Sequence, residues 1–267
     1  MNRIDKKFKE LKKGKKKAFI AYVTAGDPNL SATKSIVLAL EGAGVDIIEL
    51  GIPFSDPLAD GPTIQAASHR ALLKGATLRK IFSLVGILRK ATDIPIVFMT
   101  YYNPVLRYGI EHFVKSCKKA GVDGVIIPDL PFEEARDLTA FSKIAGIATI
   151  FLAAPTSTRA RIGGIAKNSS GFVYYVSLTG VTGARSRLPA EVTSKVKLIK
   201  SVTKKPVAVG FGVSTVRQAR EVSKFSDGVI VGSAIVKIIE NNQKNNKALL
   251  SKVSSFAKTL AKAIHNA

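Results

Sequence analysis

The sequence predicts an α/β protein in which eight parallel strands and the helices between them close into a (β/α)8 barrel. Three observations predict it. Short, nearly continuous apolar runs recur eight times, each bounded by Gly, Pro or Asp, as strands covered on both faces require. Helix-like stretches fill the gaps between them. One device is also used twice: Ala43-Gly44-Val45-Asp46 leads into Ile47-Ile48, and Ala120-Gly121-Val122-Asp123 leads, after Gly124, into Val125-Ile126-Ile127. A doubly wound sheet is the alternative, but Gly210-Phe211-Gly212-Val213-Ser214-Thr215 lacks the third Gly of a dinucleotide fingerprint.

In chain order, Lys6–Lys12 reads as an added amphipathic helix before the first strand, Phe19–Thr24. Ser31–Ala43 is the first helix of the repeat, with Ser31 as its cap and Gly44 as its stop. Ile47–Leu50 is the second strand. The gap after it is long and holds two helices, Pro62–Leu73 and Leu78–Lys90; Pro62 suits a first helical turn. The pattern then runs through strand Ile94–Tyr101, helix Glu111–Ala120, strand Gly124–Pro128 and a helical run from Pro131 to Ala145. Strands Thr149–Ala153, Phe172–Ser177, Val207–Phe211 and Val229–Val231 follow, separated by helices Thr158–Lys167, Ala190–Thr203 and Thr215–Ser223. A short helix, Ala234–Glu240, and the long Lys247–Ala263 end the chain.

The 267 residues fit one large barrel domain, residues 1–267, or two ordinary domains of roughly 100–200 residues. The barrel reading takes the first option. A composition of 46% hydrophobic and 22% charged residues excludes a disordered chain, a collagen-like fibre and a coiled coil. No apolar run is long enough to cross a membrane. Lys12 to Lys17 before Ala18 to Ala25 loosely mimic a signal peptide, but Asp5 and Glu10 interrupt the basic segment and the apolar stretch ends in a Gly26-Asp27-Pro28 turn. The single cysteine, Cys117, fits a reducing compartment. A cytoplasmic location is expected.

With 41 Lys and Arg against 19 Asp and Glu, the chain carries +22. That charge raises nucleic acid, an acidic membrane or an anionic substrate as partners. The aromatic residues do not interleave with the basic ones as stacking platforms would, so a solvated Lys-rich surface is the preferred reading.

Barrel active sites sit at the carboxyl ends of the strands. There, Asp46, Glu49, Asp56 and Asp60 place four of the 19 acids within one short stretch. Glu49 lies inside an apolar strand, and no predicted strand carries an internal basic residue to pair with it. It is expected to face the barrel mouth, desolvated, with its pKa raised toward acid–base work. The loop from Gly51 to Pro62 brackets Asp56 and Asp60 with Pro53, Pro57, Gly61 and Pro62, a stiffer construction than a plain connector needs. Gly-containing turns follow the last three strands, at Thr179–Ala184, Gly210–Gly212 and Gly232-Ser233. Glycine lets backbone N–H groups approach an anion and a helix amino terminus adds a favourable dipole, so a phosphorylated substrate is expected. His69, His112 and His265 are scattered without ligand spacing, with His69 and His265 read as surface residues, so no metal site is expected. No Gly-x-Ser-x-Gly elbow occurs, and no predicted strand end carries a Schiff-base Lys.

The stretch Glu49-Leu50-Gly51-Ile52-Pro53-Phe54-Ser55-Asp56-Pro57-Leu58-Ala59-Asp60-Gly61-Pro62 resembles the central signature of the tryptophan synthase alpha chain family. Tyr22–Pro28, Met99–Pro104, Pro128–Pro131, Gly180–Gly183 and Gly232–Val236 extend the resemblance over residues 18 to about 240. It implies a (β/α)8 barrel and a lyase that splits indole-3-glycerol phosphate into indole and glyceraldehyde 3-phosphate by retro-aldol cleavage. It implies Glu49 as the proton-handling residue, Asp60 as acceptor of the indole N–H, and Tyr174 as an active-site tyrosine. By the same resemblance Tyr22, Thr100 and Tyr101 line an indole pocket. Gly183, Phe211, Gly212, Gly232 and Ser233 hold the phosphate, and Thr182 is a further substrate-binding residue. No cofactor is implied for this chain. Its implied partner is a pyridoxal-phosphate beta chain, in an alpha2-beta2 heterotetramer contacted through Pro53 and Asp56. Loops Pro53–Asp60 and Thr179–Leu188 are expected to close over substrate. The departure from the family is the charge, concentrated in Arg3–Lys17, Lys195–Lys224 and Lys237–Lys262.

Overall fold

The computed structural model describes residues 1–176, 190–210 and 212–267. The elements run α1 (Arg3–Lys13), β1 (Ala18–Thr24), α2 (Leu30–Gly42), β2 (Ile47–Gly51), α3 (Pro62–Leu73), α4 (Leu78–Leu88), β3 (Ile96–Met99) and α5 (Tyr102–Tyr108). They continue through α6 (Ile110–Ala120), β4 (Gly124–Ile126), α7 (Arg136–Ala145), β5 (Ala148–Ile150), β6 (Leu152–Ala153), α8 (Arg159–Asn168) and β7 (Val173–Val176). The last are α9 (Ala190–Val202), β8 (Val207–Gly210), α10 (Val216–Ser223), β9 (Gly228–Val231), α11 (Ser233–Asn242) and α12 (Asn246–His265).

All strand pairs are parallel, in the order β5-β4-β3-β2-β1-β9-β8-β7-β6. The two ends of that order, β5 and β6, are halves of one run interrupted at Phe151, so the nine strands of the described residues occupy eight barrel positions. This is the expected (β/α)8 barrel with an added amino-terminal helix.

Alternation along each strand sorts the core into two layers. Phe19, Ala21 and Val23 of β1, Ile48 and Leu50 of β2 and Phe98 of β3 pack outward against the helices. Ala18, Ile20, Ile47, Val97, Ile126, Ile150, Phe172, Ala208 and Ile230 fill the barrel. Helix α1 joins this inner cluster through Ile4, Phe8 and Leu11, with the Phe8 and Phe172 ring centroids 5.8 Å apart. Gly124 and Gly171 leave room for Ile4, which would stand 3.0 Å and 3.2 Å from a β-carbon at those positions. The added helix therefore plugs the amino end of the barrel, and the carboxyl end is the one left to open.

Four expectations change. Helix α2 is capped by Asn29, whose side chain accepts from the Ala32 N–H, and not by Ser31. Strand β3 is shorter than Ile94–Tyr101, and helix α5, with Pro104 in its first turn, follows where no helix was predicted. The run from Pro131 becomes helical only at Arg136. Glu134 and Ala135 N–H groups make turn bonds to Pro131 and Phe132 carbonyls, and the Phe132 ring sits over Gly164 of α8. His265 is not a surface residue: its Nε2 lies 2.8 Å from Oδ2 of Asp46, the same oxygen that accepts the Phe19 N–H. The pair fastens the end of α12 to β1.

Candidate active site

A cavity of about 460 Å³ opens at the carboxyl end of the barrel. Strand parity builds it. In register on neighbouring strands, Tyr22 of β1 stands opposite Glu49 of β2, and Glu49 opposite Val97 of β3. Positions inward by alternation, namely Tyr22, Glu49, Met99, Tyr174, Gly210, Ile230 and Gly232, reach the cavity, with Tyr174 and Ile230 at the top of the packed barrel core. Two of the glycines make room for the rings. A β-carbon on Gly210 would stand 2.8 Å from the Tyr174 hydroxyl, and one on Gly51 would overlap the Tyr22 ring.

Glu49 is 1% exposed, and its Oε2 has no hydrogen-bond partner among the described residues. Burial, reinforced by the negative charge of Asp60, pushes its pKa up to about 8. Asp60 lies in the loop ahead of α3. Burial raises its pKa to about 6, and the neighbouring Tyr101 hydroxyl works the other way. Around neutral pH, then, the first carboxyl holds its proton and the second has lost it. Burial also raises Tyr22 and Tyr174, and the two carboxylates add to it, so both phenols stay protonated.

The loop is held in place from the segment between β3 and α5 and from α3. The Tyr101 hydroxyl accepts the Ala59 N–H at 3.0 Å, and the Phe54 and Tyr101 ring centroids are 5.4 Å apart. Gln65 Nε2 donates to the Asp60 carbonyl at 2.9 Å. Across the cavity, α11 begins at Ser233 with Gly232 as its cap, which makes no side-chain hydrogen bond. Gly212, at φ +63°, lies beside it. Backbone N–H groups at a free helix amino terminus, next to a glycine turn, make a place for an anion.

Of the residues singled out in the sequence, Tyr22, Glu49, Asp60, Tyr174, Gly212, Gly232 and Ser233 line this one cavity. Thr182, Gly183 and Phe211, with the loop from 179 to 188, lie outside the described residues. Two residues of the implied indole pocket stand outside the cavity lining. Thr100 is buried but outside the cavity lining, because a one-residue step along a strand changes the face; Met99 is the β3 residue that enters. Tyr101 acts as a brace for the Asp60 loop and not as cavity lining. Pro53 is buried and Asp56 exposed on the same loop. Met99, Ile64 and Val176 also line it; the Met99–Pro104 stretch contains Met99 without marking it as a lining residue. Alternation from Glu49 across the strands was the signal that identifies Met99. Among the described residues, no group of three or more His, Cys, Asp or Glu side chains is placed to hold a metal ion.

Comparison with known proteins gives the family of the chain. A family profile described as tryptophan synthase alpha chain matches residues 8–265. The chain belongs to the tryptophan synthase alpha chain family. It is 52% identical over 264 residues to the tryptophan synthase alpha chain of Caldanaerobacter subterraneus subsp. tengcongensis, covering 99% of this chain and 100% of the other. The Geotalea daltonii alpha chain is 50% identical, covering 99% of each. Among solved structures, tryptophan synthase subunit alpha from Legionella pneumophila str. Paris matches with a TM-score of 0.93 and 37% identity, covering all of both chains. A structure of tryptophan synthase from M. tuberculosis matches at 0.89 and 34%, covering 99% of each chain. The tryptophan synthase alpha chain is a carbon–carbon lyase of tryptophan biosynthesis that cleaves indole-3-glycerol phosphate to indole and glyceraldehyde 3-phosphate. The alpha chain carries no cofactor; pyridoxal phosphate belongs to the beta chain.

Proposed function

We propose that Glu49 and Asp60 divide the acid–base work of this cleavage, with Glu49 as the proton carrier and Asp60 as the anchor of the indole ring. Their two environments support the division. Glu49, protonated near neutrality, donates to indole C3 and leaves the positive charge on the ring nitrogen side. Asp60, ionised, accepts the indole N–H and stabilises that charge. The Glu49 carboxylate then takes the proton of the glycerol hydroxyl. The bond between C3 and the hydroxyl-bearing carbon breaks, its electron pair restores the indole ring, and the carbonyl of glyceraldehyde 3-phosphate forms. Glu49 ends protonated, ready for another turn. Tyr22, Met99 and Tyr174 enclose the ring, and Gly212, Gly232 and the N–H end of α11 at Ser233 take the phosphate.

The observation that carries this reading is that the buried Glu49 carboxyl, the partly buried Asp60 carboxyl and the free end of α11 face one cavity. Indole release from indole-3-glycerol phosphate by the purified chain tests it. Glu49→Gln is expected to cut turnover by roughly 10²–10⁴-fold, the range for a general acid–base group; full turnover by that variant rejects the assignment.

The alpha chain works in a complex with the beta chain. Docking here is assigned to the loop that carries Pro53 and Asp56, where Asp56 is exposed and Leu58 is 91% exposed. Loss of beta-chain binding in Leu58→Asp, with indole release by the alpha chain alone retained, is the expected result. No described helix is long and apolar enough to cross a membrane; a cytoplasmic location is inferred, and cell fractionation checks it.

A further inference from the structure

We propose that Arg70 is a positioning residue for the reaction: it ties the helix that leaves the Asp60 loop to the helix that opens on Ser233, and so sets the span between the acid and the anion site. This rests on the reading of Asp60 and Ser233 given above. Helix α3 starts two residues after Asp60, and α11 starts at Ser233. Any slide of one helix along the other changes the span that a single substrate must bridge.

Apolar contacts between the two helices do not fix that slide. Ala67 of α3 and Val236 of α11 meet under Tyr22, with Ile64 and Met99 alongside. Such contacts are non-directional. One turn further along α3, Arg70 supplies the direction. Its Nη1 donates to Glu240 Oε1 of α11 at 2.9 Å, the only side-chain hydrogen bond between α3 and α11 among the described residues. Its Nε and Nη2 form a fork on Asp27, at 2.9 and 2.8 Å. Asp27 is 2% exposed and sits in the turn after β1, three residues past Thr24, so the fork also refers both helices to the strand that carries Tyr22. A planar guanidinium can hold two carboxylates at fixed angles; an ammonium cannot. The other carboxylate oxygen of Glu240 accepts from Lys237 of its own helix at 2.6 Å, and among the described residues Lys237 makes no side-chain hydrogen bond to α3.

Replacing Arg70 leaves Asp27 buried without its partner and endangers folding. The decisive variant is therefore Glu240→Gln, at a partly exposed residue, with Lys237→Met as control. Three readouts are needed: turnover of indole-3-glycerol phosphate, calorimetric binding of a non-cleavable indole alkyl phosphate, and binding of glycerol 3-phosphate, which occupies the anion site alone. In Glu240→Gln, kcat/KM and affinity for the indole alkyl phosphate should fall about three- to tenfold, as coupled contacts of this kind do. Glycerol 3-phosphate affinity and the thermal midpoint should stay unchanged, and Lys237→Met should change none of these. Arg70→Lys should show the same ligand pattern as Glu240→Gln. Equal losses for glycerol 3-phosphate and the spanning ligand, no loss for the spanning ligand, or the same loss in Lys237→Met would overturn the proposal. If the unaltered chain binds both ligands but does not cleave, the acid–base reading fails and the two affinities still decide on Arg70. If it binds neither, Arg70 has no span to set and the proposal falls.

Discussion

Tyr22 crosses from β1 onto the neighbouring strand so closely that a β-carbon on Gly51 would stand 2.6 Å from the ring's Cζ. The ring's hydroxyl lies 3.3 Å from Thr24 Oγ1, and both neighbours are strand residues with no room to retreat. Gly51→Ala should therefore destabilise the fold by about 1–3 kcal/mol, the usual cost of overpacking. Adding Tyr22→Leu should recover most of that loss while leaving activity low. Denaturant unfolding of the two single variants and the double variant measures the coupling; strictly additive values would refute the contact.

Glu49 makes stability depend on pH in a direction opposite to that of a salt-bridged carboxylate. Its folded pKa, about 8, lies above the ordinary carboxyl value of 4.5. Below about pH 4 both folded and unfolded chains hold the proton, and the group contributes nothing. From there to about pH 8 the unfolded chain releases the proton while the folded chain keeps it, so unfolding gains. Above about 8 the penalty is constant, on the order of a few kcal/mol. Glu49→Gln, which resembles the protonated acid, should be more stable than the parent above pH 8, and the gain should vanish near pH 4. Urea titrations across that range test the sign.

The activity profile should be a bell. Asp60 must be ionised, which places a rising limb of kcat/KM near pH 6. Glu49 must be protonated, which places a falling limb near pH 8. Asp60→Asn should lower activity and abolish the rising limb. A profile that keeps that limb in the variant would move the role to another group.

Ser233 separates binding from folding. As the first residue of α11, it is a place where a carboxylate suits the helix dipole and repels a phosphate. Ser233→Asp should leave stability unchanged or raise it by about 0.3–1 kcal/mol. KM should rise at least about tenfold. Unchanged KM would show that the substrate's phosphate sits elsewhere.

The strands, the repeat and the two carboxylates were legible in the sequence because they depend on local pattern. A run such as Ile47-Ile48-Glu49-Leu50 has no place but a doubly covered strand, and a lone acid inside it has nothing nearby to neutralise it. Periodicity also marked α1, although not its purpose. The cavity-lining glycines at 212 and 232 were recognisable because the anion site proposed there needs close backbone approach, a demand visible as residue type.

What only the tertiary structure decided depends on register and on contacts far apart in the chain. Whether Met99 or Thr100 enters the cavity turns on a single step of strand parity, and a family motif that spans both residues does not state it. That Tyr101 holds Ala59, that His265 reaches Asp46 across most of the chain, and that Arg70 joins Asp27 to Glu240 are pairings of ordinary surface-type residues. None carries a local signal, because a side chain's composition says what it can bond and only the fold says what stands within reach. Sequence alone thus determined the kind of barrel and the chemistry at its mouth; packing decided which atoms meet there and what holds them at working distance.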